Sequence, residues 1–204
     1  MSIAIIGCGG HARSIADTIL HNNSEEELCF FDDAAKENEF IFRKYPVYKI
    51  DKLNDEFDEY FIAIGNNIRR KELYEEGIID LTRAKTVIHK DSYQGVNSEV
   101  LSGSAILSGA HIGADARIGR GCIINTNAVI EHEVWIGDYS HVSVNATICG
   151  RARIGNCVFI GAGAVVIDKV KICDDVIVGA GAVVTSDITE KGTYIGVPAR
   201  MLVE

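Results

Sequence analysis

Isoleucine or valine occupies every sixth position along the C-terminal half: Val100, Ile106, Ile112, Ile118, Ile124, Ile130, Ile136, Val142, Ile148, Ile154, Ile160, Val166, Ile172, Val178 and Val184. Four residues beyond most of them stands a small side chain, as at Ser104, Ala110, Ala116, Cys122, Ala128, Ser140, Ala146, Ala152 and Ala164. A period of six fits neither an α-helix nor a strand, and it persists far beyond the length of one element. A short strand plus a turn, repeated with the β-branched residue pointing into a narrow core, satisfies it. The pattern predicts a hexapeptide β-helix in which three hexapeptides close one triangular coil, so that residues eighteen apart stack along the axis.

The N-terminal third follows another rhythm. Ser2 to Ile6, Leu28 to Phe31, Tyr60 to Ile64 and Thr86 to Ile88 read as four short apolar strands. Helical patterns intervene after the first strand, to about His21, and from about Ile68 to Glu76. Strand alternating with helix predicts a small parallel sheet with its binding crevice at the carboxyl ends of the strands. The expected architecture is α/β, a small Rossmann-like sheet over residues 1–90, followed by an all-β parallel β-helix over residues 91–204.

Chemistry gathers at those strand ends. Gly7, Gly9 and Ala12 fit the G-x-G-x-x-G/A form of a strand-to-helix phosphate loop, which also carries Gly10 and His11. Asp32 and Asp33 end the second strand about twenty residues on, where such units bind a ligand hydroxyl. Gly65, Asn66 and Asn67 end the third. A turn and two strand ends explain the same residues without a ligand, but three polar ends at one crevice favour a nucleotide pocket. A dinucleotide fold needs two such halves, and only one fits before the repeat begins. A mononucleotide, such as that of a UDP-sugar, suits the size better than NAD.

In the repeat, Gly161-Ala162-Gly163 stacks under Gly179-Ala180-Gly181, a strip of bare wall on which a thin pantetheine arm fits, although glycine also serves tight corners. Arg151 stacks under Lys169 and Arg153 under Lys171, either holding phosphates or forming a solvated face. The segment from Asn125 to Glu133 departs most from the repeat. Counting from inward Ile130, His132 points outward between Glu131 and Glu133, with Gly150 one coil above it. A histidine beside a carboxylate is a candidate general base. His141 is a second candidate. His111, His132 and His141 share no stacking column, so no metal site is expected.

Composition narrows the classes. The net charge of -9 argues against general nucleic-acid binding. No stretch of about eighteen apolar residues could span a membrane, and no N-terminal leader is evident, so a cytoplasmic protein is expected. Cys8, Cys29, Cys122, Cys149, Cys157 and Cys173 lack CxxC spacing and read as reduced core thiols.

The combination of Ile5-Ile6-Gly7-Cys8-Gly9-Gly10-His11-Ala12, Phe31-Asp32-Asp33, Phe61-Ile62-Ala63-Ile64-Gly65-Asn66-Asn67, Ile130-Glu131-His132-Glu133, Ser140-His141-Val142-Ser143 and Gly196-Val197-Pro198-Ala199-Arg200 resembles the sugar acyltransferases of the left-handed β-helix superfamily. It is most similar to bacterial UDP-4-amino-sugar N-acetyltransferases of the N,N'-diacetylbacillosamine pathway, with sialic acid O-acetyltransferases nearby. The resemblance implies a left-handed coil, a homotrimer with acetyl-CoA between neighbouring solenoids, and a UDP-amino-sugar held by the N-terminal domain. It implies His132 as general base and Glu133 as the residue that orients it. It places Asn125 with Gly9, Gly10, His11, Asp32, Asp33, Gly65 and Asn66 at the acceptor sugar. His141, Gly150, Gly161, Ala162, Gly179 and Ala180 would then meet acetyl-CoA. A sialic acid O-acetyltransferase, a nicotinamide oxidoreductase and a non-catalytic trimeric assembly protein are the alternatives.

Overall fold

The computed structural model describes residues 1–203. Its N-terminal unit is a sheet of β1 (Ser2–Ile6), β2 (Glu27–Phe31), β3 (Phe40–Ile41), β4 (Tyr45–Tyr48) and β5 (Glu59–Ile62), in the order β3-β4-β2-β1-β5. β1 pairs in parallel with β2 and with β5, and β4 runs parallel to β2. Only β3 is antiparallel to its neighbour. The helices α1 (Gly10–Asn22) and α2 (Asn67–Glu75) cover opposite sides. Both faces being covered, β1 is apolar and buried from Ile3 to Ile6, as parallel central strands are.

From Val87 the chain winds as a triangular solenoid of two-residue strands. Its first face carries Val87–Ile88, Ala105–Ile106, Ile123–Ile124, His141–Val142, Phe159–Ile160 and Val176–Val178, closed by Gly192–Ile195 and Arg200–Met201. The second carries Tyr93–Gln94, His111–Ile112, Val129–Ile130, Thr147–Ile148, Val165–Val166 and Val183–Val184. Glu99–Val100, Arg117–Ile118, Trp135–Ile136, Arg153–Ile154 and Lys171–Ile172 make the third. Registers from Val87 to Val184 pair residues eighteen apart, such as His111 with Val129 and Arg153 with Lys171, whereas the closing strand pairs sixteen on, as Val176 does with Gly192. The inward pillars Ile112, Ile130, Ile148 and Val166 are wholly buried. Burial at that level stabilises the coil by about 1.5–3 kcal/mol per large side chain.

The corners demand left-handed backbone. Asn127, Glu133, Asn145, Arg151 and Lys169 all take positive φ, and the next coil hydrogen-bonds back across them, as Arg151 N–H does to the His132 carbonyl at 3.0 Å.

Two features differ from expectation. Val87–Ile88 pairs with Ala105–Ile106 and so forms the first rung of the solenoid, not a fourth strand of the sheet; only a single bridge from Tyr60 to Ala84 extends that sheet beyond β5. The β3–β4 hairpin widens the opposite edge.

The two units share their cores. Val87, Ala105 and Leu107 pack into the cluster under α1, while Tyr139 and Cys157 pack into the one under α2. At the joint lies Arg70, fully buried. Its Nε donates to the Gly121 carbonyl at 2.6 Å, Nη1 to Ile64 at 2.8 Å, and Nη2 to the Tyr139 carbonyl and to Asn67 Oδ1 at 2.8 and 2.9 Å. Asn67 in turn donates to the carbonyls of Cys157 and Val158. Carbonyl oxygens, not a carboxylate, meet this cation, and burial lowers its pKa to about 10.

Candidate functional site

Gly7 takes φ +110°, and an added Cβ would meet Ile64 Cδ1 at 2.9 Å and the Ala63 carbonyl at 3.0 Å, so only glycine turns the chain there. Gly9 and Gly10 face open space and begin α1 with no side-chain cap. The first-turn N–H groups are therefore free for an anion. Asp32 is already engaged: one oxygen accepts from Cys8 N–H at 2.9 Å, the other from Ala34 N–H at 2.8 Å. It shapes the loop, whereas Asp33 is exposed beside a small hollow of about 60 Å³ lined also by Gly7 and Arg69. Asn66 caps α2, its Oδ1 accepting from Arg69 N–H at 2.9 Å.

Gly65 and Asn66 also edge a cleft of about 580 Å³ between α2 and the first solenoid face, walled by Phe159 and Ile177 with Lys191 at its rim. Nothing in the repeat singled out these three wall residues; Phe159 and Ile177 are visible only as the outward column that continues His141.

His11 and His141 meet at the same joint, ring centroids 6.3 Å apart. His141 is buried, and Phe159 packs edge-on against it at 5.1 Å. Asn125 Oδ1 accepts from Thr126 N–H at 2.8 Å, which turns its amide nitrogen toward His141 Nε2 at 3.1 Å. Nε2 must then accept, so the proton sits on Nδ1. That Nδ1 faces Gly65 but reaches no partner in hydrogen-bond geometry, and His11 Nε2 is likewise buried and unpaired. Burial, reinforced by the Arg70 charge, pushes His141 down to about 3 and His11 to about 4. Both are neutral at physiological pH. His141 is thus a fixed N–H donor rather than a base.

His132 stands at the corner between the second and third faces, about half exposed. Its Nδ1 lies 3.0 Å from Glu133 Oε2. A carboxylate only accepts, so Nδ1 carries the proton and Nε2 keeps its lone pair. Glu131 reaches only the backbone N–H of His132, at 3.3 Å. The hydrogen bond from His132, aided by the Arg151 charge, holds the Glu133 carboxyl below the usual range. Gly150 forms the wall over the ring: a Cβ there would meet Nε2 at 2.6 Å.

The glycine strip divides in two. A Cβ at Gly161 would strike the backbone of Gly179 and Ala180, and one at Gly179 would strike Ile195, so coil packing accounts for both. Ala162, Gly163, Ala180 and Gly181 are the exposed members, with open space beside Gly163 and Gly181. A groove of about 690 Å³ runs along the third face over Ile118, Ile136 and Ile154, beneath Arg117, Trp135 and Arg153. Arg117 and Arg153 lie over the Trp135 ring at 5.3 and 4.7 Å.

Among the described residues, one grouping of His21, His89 and Asp91 brings possible metal ligands together. Its two rings stack at 4.8 Å and 17°, so their in-plane lone pairs run side by side and do not converge.

The PglD N-terminal domain model matches residues 2–76, and the bacterial transferase hexapeptide (six repeats) model matches residues 151–186. The acetyltransferase domain of PglB from Neisseria gonorrhoeae FA1090, solved with acetyl coenzyme A, is 28% identical, with 98% of each chain covered and a TM-score of 0.90. A mutant of perosamine N-acetyltransferase from Caulobacter crescentus, solved with CoA and GDP-perosamine, is 30% identical, with 100% of this chain and 98% of that chain covered and a TM-score of 0.90. WeeI from Acinetobacter baumannii AYE, 22% identical over 99% of this chain and 100% of its own at a TM-score of 0.62, shares the fold.

Proposed function

Because the chain belongs to the sugar N-acetyltransferases of the left-handed β-helix family, we propose that it moves an acetyl group from acetyl-CoA to the amine of a UDP-linked amino sugar, with His132 as the base. It is an acyltransferase, acetyl-CoA is its acyl donor, and its acceptor is a nucleotide-linked amino sugar. The nitrogen acceptor follows the relatives, which are N-acetyltransferases, so O-acetylation of a sialic acid is not favoured.

The observation that carries the site is the His132–Glu133 pair. With Nδ1–H held at 3.0 Å by Glu133, Nε2 presents its lone pair beside Gly150. The acceptor amine attacks the thioester carbonyl, and its proton passes to Nε2. The carbon–sulfur bond breaks, and the imidazolium returns the proton to the departing thiolate. No acyl-enzyme is needed. The free first-turn N–H groups of α1, with Gly9 and Gly10, suit the diphosphate; Gly65, Asn66, Asn125 and exposed Asp33 border the sugar and ribose. Asp32 keeps the loop in shape. The pantetheine arm lies along Ala162, Gly163, Ala180 and Gly181, where open backbone admits it.

Acting in trans suits this layout. The second solenoid face presents an outward column of Tyr93, His111, Val129, Thr147, Val165 and Val183 that carries no carboxylate and no lysine or arginine. Such a face packs about a threefold axis, closing the groove between the His132 corner of one subunit and the small-residue corner of the next. Six free thiols accord with a reducing cytoplasm.

Steady-state kinetics of His132→Ala test the assignment. The expected loss is about 10²- to 10⁴-fold in kcat, with acetyl-CoA binding and the trimer retained. A variant that keeps more than about a third of native kcat up to high pH would overturn it.

A further inference from the structure

The base is braced from the coil above by two arginines. Glu133 and Arg151 both occupy left-handed corner positions, at φ 60° and 63°, and stand eighteen residues apart. Glu133 Oε2 accepts from His132 Nδ1 at 3.0 Å and from Arg151 Nε at 3.0 Å, so one oxygen serves both. Arg153 donates from Nη1 to the Glu133 carbonyl at 2.6 Å, while its guanidinium rests on Trp135. The main chain adds Arg151 N–H to the His132 carbonyl at 3.0 Å.

We propose that Arg151 is a positioning residue for the reaction: it fixes one oxygen of Glu133 on His132 Nδ1 and draws part of that carboxylate's charge away from the ring. This rests on the reading of His132 as the base. A lone carboxylate at Nδ1 favours the imidazolium, which has no lone pair to offer an amine. Arg151 offsets that bias while keeping the oxygen in place. Arg151 Nε and His132 Nδ1, each 3.0 Å from the same oxygen, are at most about 6 Å apart, so the guanidinium charge weighs against a proton on the ring even in water, subject to salt.

The other charges around the ring are Glu131, on the backbone N–H of His132; Asp115, one coil below Glu133; and the Asp168–Lys169 pair, one coil above Gly150 and Arg151. None of these contacts the shared oxygen.

The variants Arg151→Gln, Arg151→Lys and Arg153→Gln separate charge from scaffolding. In Arg151→Gln, the acidic limb of the kcat/KM profile should move to higher pH, so that activity on that limb falls roughly threefold beyond any loss on the plateau. The displacement should shrink at 0.5 M salt. Arg151→Lys keeps the charge and should restore the limb. Arg153→Gln loses its backbone bond and its contact with Trp135, so it should lower the plateau without moving the limb.

Proton NMR titration of the His132 ring in the same proteins reads the effect without turnover. Its midpoint should rise in Arg151→Gln and return in Arg151→Lys. An unmoved or lowered midpoint overturns the proposal. A raised midpoint with an unmoved kinetic limb would instead show that His132 is not the base.

Discussion

At the residue scale, the working parts are a base with its wall and a donor with its anchor. The outward direction of His132 and the glycine above it follow from counting in sixes and eighteens, because a solenoid converts spacing directly into position. The tautomers do not follow from counting. They rest on Glu133 taking Nδ1 of His132 and on Thr126 orienting Asn125 against His141. His141 read in the sequence as a second candidate base and, by the resemblance, as a contact of acetyl-CoA; its burial comes from the N-terminal unit docking on the first face. Gly150 offers a sharp test of the wall. Its φ is outside the left-handed region, so alanine is tolerated by the backbone, yet a methyl there would sit 2.6 Å from Nε2. Gly150→Ala should therefore displace the ring and lower kcat about 10- to 100-fold, with the melting temperature little changed. Native kcat in that variant would show that the imidazole does not work against this surface.

At the element scale, the solenoid was legible throughout because its signal recurs at every coil, while the sheet edges were not. Phe40–Ile41 and Tyr45–Tyr48 are short and carry no alternation, so β4 is defined by pairing with β2, and β3 by pairing with β4, and not by pattern. Val87–Ile88 has the composition of any short strand; which neighbour it joins is a tertiary matter. Helix α2 holds the most instructive case. Arg70 sits in the charged run Arg69-Arg70-Lys71 and reads as solvated, yet Asn67, Arg70, Leu73 and Tyr74 recur at helical spacing and form the buried side. That shared face was the available signal. Removing the guanidinium strands the carbonyls of Gly121, Ile64 and Tyr139 in the joint, so Arg70→Met should cost about 3–5 kcal/mol. Urea unfolding measures it. A smaller loss would mean that water enters and replaces the clasp. Since Arg70 also grips Ile64 and Gly65, a partly stable Arg70→Lys should raise the acceptor KM more than the acetyl-CoA KM.

At the scale of the whole molecule, the two units behave as one body because both clusters beneath the sheet run on into the solenoid. The joint encloses two neutral histidines and a cation, and that combination makes stability depend on pH. His11 titrates at about 4 and His141 at about 3, against about 6.5 in an unfolded chain. Below pH 6.5 the unfolded chain therefore binds protons that the folded one refuses, and stability falls as pH falls, down to the folded values. At one proton per histidine, each pH unit inside that window costs about 1.4 kcal/mol per group. Between pH 7.5 and 5.0 the pair should remove roughly 4 kcal/mol, a large share of the stability of an ordinary domain. The exposed carboxylates with lowered values, Asp58, Asp80 and Glu133, add their loss only in more acidic solution. Urea midpoints at pH 7.5 and 5.0 measure the effect. His141→Gln, which keeps a neutral donor there at every pH, should cut the difference between them to about half. Equal midpoints for the native protein at the two pH values would mean that the joint opens to solvent and lets both rings protonate while the fold persists.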